Sequence, residues 1–293
     1  MRQVAERAKT TDLHREFRGD SSAAKSPEAM VAFLDGADRL AVVQGIRAAM
    51  REPLLDRDVP EAPIALLDAA CGAGTETRHL AARLPGKLVV GIDHNQQLLD
   101  IARLRAAELA AGQDGDETAE PATIDWVCAD IRKTGLPDES VAAARVERGL
   151  IYVADGEVAV AEFARVLAPG GVLVAYELDY GGLVLPAGDA PPPLMHQVLA
   201  VLEASLPAPW AGRRLARWMA GAGLTDLTVT PMNIWAGPAV ADRIFGDTVR
   251  TAVAEGRLDP DALAWLDSLA LEPPALPAYT VVGFLTTAVK PGR

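Results

Sequence analysis

An apolar run that ends in an acid and two closely spaced glycines, Leu66-Leu67-Asp68-Ala69-Ala70-Cys71-Gly72-Ala73-Gly74-Thr75-Glu76-Thr77, constrains this chain more than any other segment. It reads as a buried strand that turns sharply into a helix beginning near Thr75. Glycine at 72 and 74 admits turn dihedrals that other residues resist and leaves no Cβ to hold a ligand off the backbone. A second apolar run, Lys87 to Asp93, ends in an acid 19 residues beyond Gly74. That is where a carboxylate holding ribose hydroxyls is expected in a nucleotide-binding βαβ unit. Together the two pieces imply a nucleoside pocket. A dinucleotide site fits less well, because Thr77 stands where the third glycine of G-x-G-x-x-G belongs.

Further along, Trp126-Val127-Cys128-Ala129-Asp130-Ile131 reads as a third strand ending in Asp130, and Arg165-Val166-Leu167-Ala168-Pro169-Gly170-Gly171-Val172-Leu173-Val174 as a turn into another buried strand. Asp68, Asp93 and Asp130 all fall at strand ends and so converge on one rim of a parallel sheet, where ligands of such sheets sit. An acid in that place is also a common N-cap of the next helix, and Asp130 suits a simple turn.

This ordered set resembles the class I S-adenosylmethionine-dependent methyltransferases of the small-molecule type that act on secondary metabolites and quinones. The resemblance covers roughly residues 28 to 181 and resumes at the C-terminus. It implies an α/β, Rossmann-like fold with a seven-stranded, mostly parallel sheet in the order 3-2-1-4-5-7-6. The last strand, Tyr279 to Val289, would be antiparallel and paired with Leu227 to Thr230. S-adenosylmethionine is the cofactor it implies, held by Asp68, Ala70, Gly72 and Gly74 in the first motif and by Asp93 on the ribose. His94, Asp130 and Ile131 would lie at the adenine, and Arg148 after the fourth strand. One position departs from the family: Ala70 stands where its first glycine belongs and brings a methyl group toward the methionine part of the cofactor.

With 293 residues, 50% of them hydrophobic, the chain can bury one large core. The expected organisation is an N-terminal helical cap over 1–62 and a methyltransferase domain over 63–293, with substrate-side helical insertions at 181–223 and 236–277. The cap contains one helical pattern from Val4 to Phe17 and a second beginning at Ser26-Pro27, an N-cap followed by proline at the first helical position. A formal net charge of −12 disfavours a nucleic-acid partner, whose phosphates call for clustered Lys and Arg. No apolar run of about 18 residues suggests a membrane span, and the charged start lacks the apolar core of a signal peptide; a cytoplasmic protein is expected. The two cysteines and four scattered histidines show no ligand spacing, so no metal is predicted. The partner expected is a small-molecule acceptor, and the apolar faces of the cap segments leave room for a homodimer.

Transfer to an O, N or C nucleophile requires mainly that an acceptor be aligned with the S–CH3 bond and shielded from water. A base helps where the nucleophile carries a proton. Tyr152, after the fourth strand, and Glu177 and Tyr180, at the end of the fifth, are the candidates by position, with Asp179 beside them. Tyr152 occupies the place where relatives often carry a histidine. All of them have ordinary structural readings as packing or turn-capping groups, as do Trp210, Trp218 and Trp235. The alternative from another class is a methyltransferase fold that binds S-adenosylmethionine but catalyses a cyclisation or rearrangement without methyl transfer.

Overall fold

A computed structural model describes residues 27–55, 59–112, 121–186, 190–269, 271 and 279–292. The expected helix from Val4 to Phe17 and the cap at Ser26 lie outside the described residues. The described chain opens with α1 (Pro27–Asp38) and α2 (Ala41–Leu55), the first starting at the proline as the sequence predicts. Then follow β1 (Ile64–Ala69), α3 (Thr75–Ala81), β2 (Leu88–Asp93), α4 (Gln96–Gly112), β3 (Thr123–Cys128) and β4 (Val141–Glu147). A 3-10 turn (Leu150–Tyr152) leads to α5 (Gly156–Val166), β5 (Leu167–Val184), α6 (Pro192–Ala204) and α7 (Ala211–Gly221). The chain closes with β6 (Thr225–Ala236), α8 (Pro238–Ala254), α9 (Asp261–Leu269) and β7 (Tyr279–Val289).

The strands form one sheet in the expected order, β3-β2-β1-β4-β5-β7-β6. Pairs from β3 to β5 are parallel, and β7 runs antiparallel between β5 and β6. The central strands are buried on both faces: Leu66, Leu67, Val89, Ile92, Ala144 and Val146 are all nearly inaccessible. Strands covered by helices on both sides read as continuous apolar runs, and fully burying each large aliphatic side chain contributes about 1.5–3 kcal/mol. Charged residues interrupt that rule at a few places. Arg145 lies in the middle of the sheet, in register with Asp68 of the neighbouring strand.

Two strands differ from the sequence-based boundaries. β3 ends at Cys128, so Asp130 stands two residues past it in an isolated bridge with Lys133. β5 runs on to Val184 through a register shift between Asp179 and Leu183, which places Glu177, Asp179 and Tyr180 inside the strand rather than at its end. The segment from 181 to 223 also differs from expectation. Its α7 packs along β5, β6, β7 and α5, as a flanking helix of the sheet, while α6 lies against α8, α9 and β5. No helix among the described residues is long and apolar enough to cross a membrane.

Candidate active site

The carboxyl ends of the parallel strands open into a cavity of about 420 Å³, within the usual range for small-molecule sites. Of the cofactor-site residues expected from sequence, Ala70, Gly72, Asp93, His94, Asp130, Ile131 and Arg148 line it. Asp68 and Gly74 do not. Asp68 is buried beneath the turn, where its carboxylate pairs with Arg145 at 2.8 Å and accepts the Thr77 hydroxyl at 2.6 Å. It anchors the turn from behind, since its two carboxylate oxygens are taken up by a guanidinium and by the Thr77 hydroxyl. Gly74 has φ +70°, and a Cβ there would meet the Trp126 ring at 2.3 Å. Packing of that indole, not approach of a ligand, demands the glycine.

Gly72 is different. Its φ is +56°, and a Cβ there would meet only Leu34 Cδ1 of α1, at 3.4 Å. Its N–H donates to Asp93 Oδ2 at 2.8 Å, while Oδ1 of the same carboxylate accepts the Asn95 N–H at 2.9 Å. Asp93 therefore fastens the glycine turn to the loop after β2 and is still exposed to the cavity. Helix α1 covers this turn, with Met30, Val31, Ala73 and Leu98 forming a small cluster. Two ion pairs hold the helix down: Asp35 with Arg105, bidentate at 2.8 Å, and Asp38 with Arg47 at 2.7 Å. Ala70 also lies in the left-handed region, at φ +56°, and its Cβ faces Gly149, where an added Cβ would stand 2.7 Å away.

At the far side of the turn, Asp130 is gripped by its own neighbour. Arg132 reaches it through Nε and Nη2, the latter at 2.6 Å, and the Arg132 backbone N–H donates at 2.8 Å. These contacts hold the Asp130 carboxyl below the usual carboxylate range. Its remaining lone pairs and the backbone around Ile131 are what this wall offers a base edge.

The floor of the cavity is charged. Arg47, Arg145 and Arg148 line it together with Asp38, Glu76 and Glu147, three cations against three carboxylates. Glu147 is the hub, at 2.9 Å from Arg47, 2.6 Å from Arg145 and 2.8 Å from Arg148. Burial alone would raise its carboxyl, but the guanidiniums of Arg148, Arg47 and Arg145 outweigh that and hold it well below the usual range. For Asp68 the balance tips the other way: burial raises its carboxyl in spite of Arg145. The signal for this floor in the sequence is a pair of charges, Arg145 and Glu147, at the end of an otherwise apolar strand.

The opposite end is apolar. Phe33 and Leu40 from the N-terminal helical region, Leu178 and Tyr180 of β5, Ile234 of β6, Val240 and Ile244 of α8, and Tyr279 and Val281 of β7 close around it. Tyr180 and Tyr279 each meet Phe245 edge-on, at 6.3 and 5.2 Å between centroids. Of the base candidates, Tyr152 and Tyr180 line the cavity. Burial pushes the Tyr180 phenol well above its ordinary value and that of Tyr279 up to about 12, so these two hydroxyls stay protonated. Glu177 is not on the wall. It is fully buried under the 3-10 turn, where it accepts the N–H groups of Gly149 at 2.7 Å and Leu150 at 2.6 Å. Asp179 is likewise buried and is paired with Arg213 of α7. None of the described residues between 182 and 233 lines the cavity, so the apolar end is walled by α1, α8 and strand ends rather than by α6 and α7.

Among known proteins, a family model described as a methyltransferase domain matches residues 67–175. An uncharacterized 37.1 kDa protein in transposon TN4556 of Streptomyces fradiae is 33% identical over 258 residues, covering 85% of this chain and 70% of that protein. Trans-aconitate 2-methyltransferase of Methylobacterium radiotolerans is 30% identical over 230 residues, 75% of this chain and 73% of its own length. The solved structure of phosphoethanolamine N-methyltransferase 2 from Haemonchus contortus, in complex with S-adenosyl-L-methionine, superposes with a TM-score of 0.57. It is 14% identical, and the match covers 95% of this chain and 60% of that one.

Proposed function

This chain belongs to the class I S-adenosylmethionine-dependent methyltransferases, and from that premise we propose that it methylates an O, N or C nucleophile of a small, largely apolar, natural-product-like acceptor. The observation behind the reading is the division of one cavity into a polar end built on the glycine turn and an apolar end built on lid helices and strand ends. Relatives of known name act on small molecules, among them trans-aconitate and demethylmenaquinone.

The residues present fit the cofactor. Gly72 turns no side chain into the cavity, and Asp93 keeps acceptor lone pairs for vicinal hydroxyls after taking two backbone N–H groups. His94, Asp130 and Ile131 form the wall for a base, and the floor of Arg47, Arg148 and Glu147 offers both signs of charge to a zwitterionic amino-acid group. When bound, S-adenosylmethionine supplies a methyl group already activated by its sulfonium.

The work left to the chain is to align the acceptor and keep out water. Helix α1 roofs the turn, while Tyr180, Tyr279, Ile234 and Ile244 pack an apolar sleeve around the approaching nucleophile. The phenols of Tyr180 and Tyr279 can donate a hydrogen bond but are poor proton acceptors at neutral pH. Tyr152 is left as a further cavity-lining hydroxyl, close enough to Arg148 for the two to interact. Catalysis here rests on orientation and desolvation more than on proton removal.

Calorimetric titration with S-adenosylmethionine, S-adenosylhomocysteine and NAD, followed by incubation with small-molecule acceptors and mass spectrometry, tests the reading. Micromolar binding of both adenosyl ligands, none of NAD, and a product heavier by one CH2 are expected. Adenosyl binding without a methylated product across acids, phenols, amines and quinols would overturn the transfer reading while leaving the cofactor in place.

A further inference from the structure

Five arginines line the cavity: Arg47, Arg132, Arg145, Arg148 and Arg243. Four are neutralised. Arg47 pairs with Asp38 and Glu147, Arg132 with Asp130, Arg145 with Asp68 and Glu147, and Arg148 with Glu147. Arg243 is the exception, since no carboxylate among the described residues lies within 4.0 Å of it. Its neighbour in sequence, Asp242, is turned to Arg250 instead, at 3.1 Å. In a chain with 40 acidic residues against 28 basic ones, a cavity-lining guanidinium without a carboxylate is a distinctive arrangement.

Its setting is equally specific. Val240, Arg243 and Ile244 share one face of α8, so the arginine emerges from an apolar wall. The guanidinium lies over the Phe33 ring of α1, 5.6 Å from its centroid. It also reaches to within 4.0 Å of where a Cβ on Gly36 would stand, so it bridges the two lid helices at the mouth. The carboxylates that line the cavity, Asp38, Glu76, Asp93, Asp130 and Glu147, all belong to the charged floor and the glycine-turn side. Each already has a partner: Asp38 has Arg47, Glu76 has Arg51, Asp93 has two backbone N–H groups, Asp130 has Arg132, and Glu147 has three arginines.

We propose that the acceptor is an amphiphilic anion, with an apolar body in the chamber of Tyr180, Tyr279, Ile234 and Ile244 and a carboxylate or phosphate held at the mouth by Arg243. This rests on the methyltransferase reading above and narrows its acceptor class. Arg243 is in this account a specificity-determining residue. A guanidinium seated on an aromatic face is already partly desolvated and oriented, which favours a charge-assisted bond to an entering anion over one to water. The same group gives a neutral molecule of equal shape nothing comparable.

The test uses the full chain saturated with S-adenosylhomocysteine and two probes of the same size, octanoate and octanamide, at pH 7.5. Calorimetry is expected to show octanoate bound about 10-fold or more tighter than octanamide, the range of a hydrogen bond to a charged group. Arg243→Gln should bring the two within about 2-fold, and Arg243→Lys should restore part of the preference. A role confined to bridging α1 and α8 would weaken both probes alike and leave their ratio unchanged. Equal binding by the wild type, a preference that survives Arg243→Gln, or no binding of either probe by protein that still binds S-adenosylhomocysteine overturns the proposal. Failure to bind S-adenosylhomocysteine itself is read in the first titration and sinks the underlying cofactor reading instead.

Discussion

At one end of the cavity Glu147 is gripped by three guanidiniums and Asp93 by two backbone N–H groups; at the other, Tyr180, Tyr279, Ile234 and Ile244 form an apolar wall, with Arg243 at the mouth. The first end is fixed by directional bonds that tie strand ends to α2 and to the loops beside them, so its geometry tolerates little change. The second is fixed by shape, which apolar residues of similar volume can reproduce. Under the proposed function this divides the labour: the wired end would meet the shared cofactor and the packed end the variable acceptor.

The largest contrast should come from breaking the hub. Glu147→Ala leaves Arg47, Arg145 and Arg148 without their common partner in a buried site, and uncompensated buried charge costs about 3–5 kcal/mol. Urea unfolding should show an unfolding free energy lowered by that amount, or no folded protein at all. Arg243→Gln at the other end loses only an exposed contact with Phe33 and should cost no more than about 1 kcal/mol. Comparable losses at the two ends would erase the distinction between wired and packed.

Within the wired end, Asp93 separates structure from ligand binding. Asp93→Ala frees the N–H groups of Gly72 and Asn95 and should weaken S-adenosylhomocysteine by about 1–3 kcal/mol, the cost of unpaired hydrogen-bonding groups. Asp93→Asn keeps one acceptor oxygen but turns an NH2 toward the other donor, so about half the loss is expected. Unchanged calorimetric affinity in both variants would remove Asp93 from the cofactor site and leave it a turn clamp.

Between the two ends stands Glu177, under the turn that carries Tyr152. Burial pushes its carboxyl up to about 8 although the N–H groups of Leu150, Gly149 and Ile151 favour the ionised form. The native state thus holds a proton that the unfolded chain releases near the ordinary glutamate value. Its contribution to stability is full below about pH 4.5, the ordinary value, and is lost as the pH rises through about 8. Urea midpoints measured from pH 5 to 8.5 should fall in the wild type and fall less in Glu177→Gln. Equal slopes would mean that the three donors keep Glu177 ionised throughout.

How far the sequence reveals each region follows the same division. The glycine turn, Asp93 and the strand order are local or ordered signals, and they are legible because a turn with positive φ and an acid at a strand end leave a fixed spacing. Asp68 and Gly74 carry the same marks for other reasons. One pairs with Arg145, 77 positions away, and the other makes room for Trp126, and neither partner is visible from spacing. The apolar end draws on Phe33, Tyr180, Ile234, Arg243 and Tyr279, apolar or isolated residues from separate segments that share no period. Glu177 and Asp179 mislead because β5 continues past the register shift at Gly181 and Gly182, so the expected strand end lies inside the sheet.

The smallest expected effect concerns the junction of the two regions. Ala70 lies at φ +56°, a conformation that costs an L-residue about 1–2 kcal/mol, and its methyl rests against Gly149 at the start of the turn leading to Tyr152. Ala70→Gly removes that strain but adds about 0.5–1 kcal/mol of unfolded-chain entropy and gives up the methyl contact. The three terms nearly cancel, so the unfolding free energy from urea titration should move by less than about 1 kcal/mol. Function is where the change should register: without the methyl as a spacer between β1 and Gly149, affinity for S-adenosylhomocysteine should shift while the octanoate-to-octanamide ratio stays as it was. A change in that ratio would show that the wired end sets the shape of the packed one, and the two would have to be treated as a single device.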